Sequence, residues 1–221
     1  VNSVPTPMRA LEVGISEPYA YMMDGGLQIV DISRPDDPVV VGRLESTDLT
    51  RCLTVAGEHV YLADSTRGLR VIDVSSPAAP REIARVDTWE FAHDIVIVGS
   101  LAYVAGWDIL VYDIADPSDP RFLGSVDLLG MANCMAVAGS HVYVADGDSG
   151  LQVVATGLRG IPKPVGSAGT PGEARDVAVS GAYAYIADVE GLEVIAIADP
   201  YAPHIVGSVP TEGYFDCVAV S

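Results

Sequence analysis

The stretch YLADSTRGLRVIDVSSPAAPREIARV, residues 61–86, holds an apolar run, a turn, a second apolar run, a loop with prolines three apart and a third short run. YLAD (61–64) and LRVID (69–73) carry the β-branched and large apolar residues that strands favour, and the Gly-containing segment between them is short enough for a hairpin. Pro77 and Pro80 forbid helix or central strand in the loop that follows. RCLTV (51–55), ahead of the stretch, is a fourth run joined through the tight turn AGE (56–58). The unit therefore reads as four antiparallel strands, a to d.

This unit recurs. YMMD (21–24), YVAG (103–106), YVAD (143–146) and YIAD (185–188) stand in register with YLAD, advancing about 41 residues per copy between Tyr21 and Tyr185. LQIVD (27–31), ILVYD (109–113), LQVVA (151–155) and LEVIA (192–196) match LRVID. Proline pairs recur at Pro35 and Pro38, Pro117 and Pro120, and Pro200 and Pro203, whereas the fourth copy keeps Pro162 alone. Strand a is assigned to RALEV (9–13), RCLTV (51–55), HDIVI (93–97), NCMAV (133–137), RDVAV (175–179) and DCVAV (216–220). Strands a to c are almost wholly apolar, so both their faces should be buried. A ring of stacked blades meets that need and leaves strand d as the outer, more polar edge.

The expected fold is all-β, a β-propeller of four-stranded antiparallel blades, with five complete repeats and partial strands at both ends. The repeats fall near 7–47, 48–88, 89–129, 130–170 and 171–211, and 212–221 opens a further blade. VNSVPT (1–6) matches GSVPT (207–211), and FDCVAVS (215–221) matches ARDVAVS (174–180). The chain then reads as one propeller, 1–221, that forms part of a larger ring. Further sequence, another chain or self-association would complete it.

With LQIVD, LRVID and ILVYD, the proline loops and the RDVAV openings in view, the chain resembles the LVIVD-repeat family over essentially its whole length. Ala155 and Ala196 depart from that pattern where its Asp would fall. The resemblance implies a propeller of a bacterial or archaeal kind, often exported or attached to the cell surface, and assigns no activity. An extracellular or cell-surface location is the expectation.

Composition narrows the partners. The 221 residues hold 12 basic and 30 acidic side chains, a net charge of -18. Such a surface repels phosphate backbones and anionic lipid, so nucleic acid is not expected as a partner. No apolar run approaches the length of a membrane span, so no membrane insertion is expected either. A protein or carbohydrate partner remains.

The residues opening strand a, read as Arg9, Arg51, His93, Asn133, Arg175 and Asp216, should converge on one mouth of the ring. The loops before them add Trp89, Phe91 and Tyr214. Polar and mostly cationic groups beside flat aromatic surfaces would suit an anion, a carboxylate or a sugar. The competing reading pairs each Arg with Asp94, Asp176 or Asp216 and fixes one blade against the next. An enzyme at this mouth, a hydrolase or lyase on an anionic sugar, would use His93 as base with Arg51 and Arg175 as clamps. The expected role is a non-enzymatic interaction or structural module.

Cys52, Cys134 and Cys217 lack metal-ligand spacing and read as reduced thiols one blade apart from any partner. Asp146-Gly-Asp-Ser-Gly150 is too short for a calcium loop and reads as a turn. No glycine loop for phosphate is present, so neither a metal nor a cofactor is expected.

Overall fold

The computed structural model describes residues 3–4, 12–45, 50–64, 68–88, 91–157, 162–211 and 216–220. Among these, every regular element is a strand. The first sheet comprises β1 (Glu12–Ser16), β2 (Tyr19–Met23), β3 (Gly26–Asp31) and β4 (Val39–Glu45), and the second β5 (Thr50–Ala56), β6 (His59–Asp64), β7 (Gly68–Asp73) and β8 (Arg81–Val86). The third runs β9 (Asp94–Val98), β10 (Leu101–Ala105), β11 (Ile109–Asp113) and β12 (Arg121–Val126). The fourth is β13 (Cys134–Ala138), β14 (His141–Ala145), β15 (Leu151–Ala155) and β16 (Lys163–Ala168), and the fifth β17 (Ala174–Ser180), β18 (Tyr183–Asp188), β19 (Gly191–Ala196) and β20 (His204–Pro210). Each sheet keeps its strands in sequence order, as a propeller blade does.

The described residues group into two compact units, Val1–Ser100 with Asp113–Arg121, and Leu101–Tyr112 with Phe122–Ser221. In the first unit β1 lies beside β5 and β5 beside β9, and in the second β13 lies beside β17. Strand a of one sheet thus meets strand a of the next. The core between sheets one and two is built from Tyr21, Leu27, Ile29, Leu53, Leu62 and Ile72, and between sheets four and five from Tyr143, Leu151, Val153, Val177, Ile186 and Ile195.

Strands b and c are buried on both faces, as their apolar sequences require. Strand a differs from expectation. β1 alternates, and Val13, Ile15 and Val137 are exposed. The reason is its position: as the first strand of the sheet it has a strand partner on one edge and neighbouring a strands on only part of its surface.

The loops repeat their hydrogen bonds as well as their sequence. The Asp ending strand c accepts the N–H two residues on, Asp31 from Ser33, Asp73 from Ser75 and Asp113 from Ala115. A turn follows in each proline loop: Asp37 N–H to Arg34 O, Ala79 to Ser76, Asp119 to Asp116 and Ala202 to Asp199. Ala155 and Ala196 lose the Asp bond, yet Thr156 and Ile197 still donate backbone N–H to Ser140 and Ala182, as Val74 does to Glu58.

The proline loop of one copy seats on strand d of the copy before. The c–d ladder carries a bulge at the same place in four sheets, leaving Val41, Ile83, Val165 and Val206 without a pair. A small residue follows each. A β-carbon on Gly42 would run into the Pro77 carbonyl and stand 3.3 Å from Pro80 Cδ, and one on Gly166 would run into the Pro200 carbonyl and stand 2.9 Å from Pro203 Cδ. Glycine is needed there for close approach, not for its torsion angles.

Two sequence expectations change. Pairing of β1 with β2 places Glu12 opposite Met23, as Cys52 lies opposite Ala63. Glu12, not Ala10, is therefore the counterpart of Cys52, and Arg9 lies two residues before the counterpart of Arg51. The cause is the a–b turn, which is two residues long in both copies (Glu17-Pro18 and Gly57-Glu58), so RALEV cannot stand in register with RCLTV. Residues 216–220 form no strand. Their sequence nonetheless matches the first strand of the other sheets. The partial strand expected at 1–6 falls mostly outside the described residues.

Candidate functional site

Two of the residues opening strand a, Asn133 and Arg175, make bonds to the next copy. Asn133 donates from Nδ2 to the Ala174 carbonyl at 2.9 Å. Arg175 lies between Asp216, 3.4 Å away, and Glu173, 3.3 Å away. One position further in, the Cys52 thiol donates to Asp94 Oδ1 at 2.8 Å, and Asp94 also accepts the N–H of Ile95. Asp176 accepts the N–H of Val177 and, across the gap between copies, that of Val218 at 2.7 Å. These inter-copy bonds span 41 or 42 residues, one repeat each. In corrected register the inner position reads Glu12, Cys52, Asp94, Cys134, Asp176 and Cys217, acid and thiol in alternation.

Burial, followed by the charge of Asp94, pushes the Cys52 thiol far above its ordinary pKa, so it stays protonated and serves as a donor, not a nucleophile. Cys134 is half-buried and Cys217 exposed. His93 immediately precedes β9 and is half-buried, and Phe91 is exposed. Arg9, Trp89, Tyr214 and the Arg51 side chain lie outside the described residues. Asn133, Arg175 and Asp216 lie together within the second unit, and there the guanidinium is met by two carboxylates.

A cavity of about 550 Å³ opens beside this cluster, inside the same unit. Its walls are Trp107, Leu129, Gly130, Met131, Gly147, Asp148 and Glu173. Of these, only Gly147 and Asp148, in the segment weighed as a calcium loop, were singled out from the sequence; Trp107 stands in a b–c turn where the other copies have Asp-Gly, Asp-Ser or Asp-Val. Trp107 is 61% exposed and Leu129 84% exposed.

The frame is fixed by hydrogen bonds. The turn of Trp107 is closed by Gly106 N–H to Asp108 O, and joined to the next loop by Ala132 N–H to Gly106 O and Leu128 N–H to Asp108 Oδ1. Asp146 Oδ2 then accepts the N–H groups of Leu129 and Gly130. Gly147 O accepts the N–H of Ala174, holding the following wall. Asp188 repeats the device one copy on, accepting from Gly172, Glu190 and Gly191. Burial raises the pKa of Asp146, with the charge of Asp108 adding to it, while the two N–H donors oppose the shift.

The LVIVD repeat pattern matches residues 9–46, 50–88, 91–128, 129–154 and 171–211. The chain belongs to the LVIVD-repeat family. No curated protein matches this LVIVD-repeat chain in sequence. Among solved structures it is similar to the computationally designed Ika8 protein, with 12% identity and a TM-score of 0.75, over 93% of this chain and 63% of the designed one. It is similar also to a functionally unknown protein from Desulfotomaculum acetoxidans, with 17% identity and a TM-score of 0.73, over 90% and 71% of the two chains. The LVIVD-repeat chain spans less than two thirds of the designed protein's length. At these identities the likeness speaks for fold alone.

Proposed function

We propose that this LVIVD-repeat protein is a non-enzymatic interaction module, extracellular or surface-associated, that holds a protein or carbohydrate partner on the loops carrying Trp107, Leu129 and Met131. The observation that carries the reading is the 550 Å³ cavity, where Trp107, Leu129 and Met131 stand beside acidic groups on loops braced by hydrogen bonds. A braced recess of that size, lined by both apolar and acidic groups, falls in the ordinary range of ligand sites, roughly 300–1,000 Å³, and bracing lowers the entropy lost on binding.

The polar residues opening strand a take the structural part. Arg175 and Asn133 bond within the chain, which favours copy-to-copy register over the clamp of a hydrolase or lyase. Completion of the ring by further sequence or another chain belongs to the same proposal. The test is a panel of immobilised peptides and oligosaccharides probed with wild type and Trp107→Ser. Specific binders that Trp107→Ser loses while keeping its fold support the module, and binders retained in full by Trp107→Ser overturn the assignment of this face. Protease accessibility on intact cells tests the location: cleavage only after lysis would contradict it.

A further inference from the structure

We infer that the cavity recognises a cationic side chain, an arginine or lysine presented by a polypeptide partner. This inference rests on the binding-face reading above and names the chemistry that face selects.

Two of the seven wall residues, Asp148 and Glu173, are carboxylates, and none is basic. Asp146 and Asp108 lie just behind the wall, close enough for the charge of one to act on the other. Arg175 is the cation nearest in the bonding pattern, and it is already set between Glu173 and Asp216. The whole chain carries -18, so the local field adds to a global one that draws cations in. A neutral sugar would gain nothing from this field, and an acidic one would be repelled.

A second observation points the same way. Asp146 is completely buried, and its Oδ1 has no hydrogen-bond partner. That oxygen lies against Gly130, where a β-carbon would stand 3.1 Å from it, and Gly130 is itself part of the cavity wall. A buried carboxylate oxygen left without a donor is costly, and a cation approaching over Gly130 reduces that cost.

The apolar walls discriminate among cations. A hydrated metal ion has no use for Trp107, Leu129 and Met131, whereas a guanidinium or ammonium on a long methylene stem uses both parts. The charged head meets the carboxylates, the stem packs on Leu129 and Met131, and the indole of Trp107 offers a cation–π face. Arginine suits this better than lysine, because its weakly hydrated plane can stack on the indole while its N–H groups reach Asp148.

The experiment uses the full chain carrying Trp89→Phe, which leaves Trp107 as the sole tryptophan. Its fluorescence is followed on titration with an acetylated, amidated Gly-Arg-Gly-Arg-Gly peptide, the same peptide with Gln for Arg, and a neutral oligosaccharide. The arginyl peptide is expected to give a saturable change, and the Gln peptide and the sugar none at the same concentrations. Asp148→Asn, at an exposed position outside the inter-copy bonds, is expected to weaken the arginyl peptide about two- to fivefold, with far-UV circular dichroism unchanged. Equal response to the Gln peptide, response to the sugar alone, or an Asp148→Asn titration that overlays the parent each overturns the cationic preference and leaves the binding face standing. No response to any probe also overturns the inference, and the Trp107→Ser panel then decides separately whether the face binds at all.

Discussion

The packing of proline loops on strand-d glycines predicts opposite outcomes for one substitution at equivalent places. In Gly42→Ala and Gly166→Ala the new methyl meets backbone of the next copy, the Pro77 and Pro200 carbonyls, as well as Pro80 Cδ at 3.3 Å and Pro203 Cδ at 2.9 Å. Backbone cannot swing aside as a flexible side chain can, so two sheets must move apart. Overpacking of this kind costs about 1–3 kcal/mol. Gly207 occupies the same place in β20, but a β-carbon there has only Val194 near it, at 3.8 Å. Alanine then stabilises by up to about 0.5–1 kcal/mol, because it narrows the freedom of the unfolded chain. Ala84 holds the equivalent position in the second copy, so a methyl is accepted where the loop is set for it. The cost at Gly42 and Gly166 is that of displacing a loop already seated. Guanidinium denaturation of the three variants reads the midpoints, and thermal melts should shift by about 2–4 °C per kcal/mol for a chain of this size. Equal shifts for Gly42→Ala, Gly166→Ala and Gly207→Ala would refute the reasoning.

Asn133→Ala leaves the Ala174 carbonyl without its donor and should cost about 1–2 kcal/mol in the same assay; a neutral result would mean that water replaces the amide at no cost. The raised pKa of Asp146 means that the folded state binds its proton more tightly than the unfolded chain does. Wild type should therefore gain stability relative to Asp146→Asn as pH falls from neutral toward about 4, the unfolded carboxyl value, and a gap independent of pH would count against burial of that charge. Cys217 is exposed and should react with iodoacetamide in the native state at pH 8, while Cys52 should react only on unfolding. Mass spectrometry of the labelled peptides reads both, and native labelling at Cys52 would contradict its placement against Asp94.

The fold was open to sequence reading because its signals recur. Tyr61, with the turn and the proline loop behind it, reappears every 40 or 42 residues, Asp64 and the proline pair recur in most copies, and each element checks the others. The exceptions have local causes. Arg9 was aligned with Arg51 because RALEV looks like RCLTV, but the two-residue turn at Glu17-Pro18 sets the register and brings Glu12 to the inner position. Val13 and Ile15 are apolar yet exposed, since hydrophobicity alone does not tell a strand between two partners from one at the edge of its sheet. The inter-copy roles of Asn133 and Arg175 were half legible: a repeated polar position announces that something meets it, and only coordinates choose between a neighbour and a ligand. Trp107 and Leu129 escaped because each lies in a single copy, outside the repeated pattern. A tryptophan where other copies carry Gly25, Ser65, Gly147 or Val189 was the available signal.

Bonding between successive copies through the inner-strand polar groups is tested most directly by a double-mutant cycle on Cys52 and Asp94. Wild type, Cys52→Ala, Asp94→Asn and the double variant are unfolded in guanidinium and their free energies compared. A thiol 2.8 Å from a buried carboxylate one repeat away should give a favourable coupling of about 1–2 kcal/mol. Effects that simply add, within about 0.3–0.5 kcal/mol, would contradict the claim that these side chains hold one copy to the next.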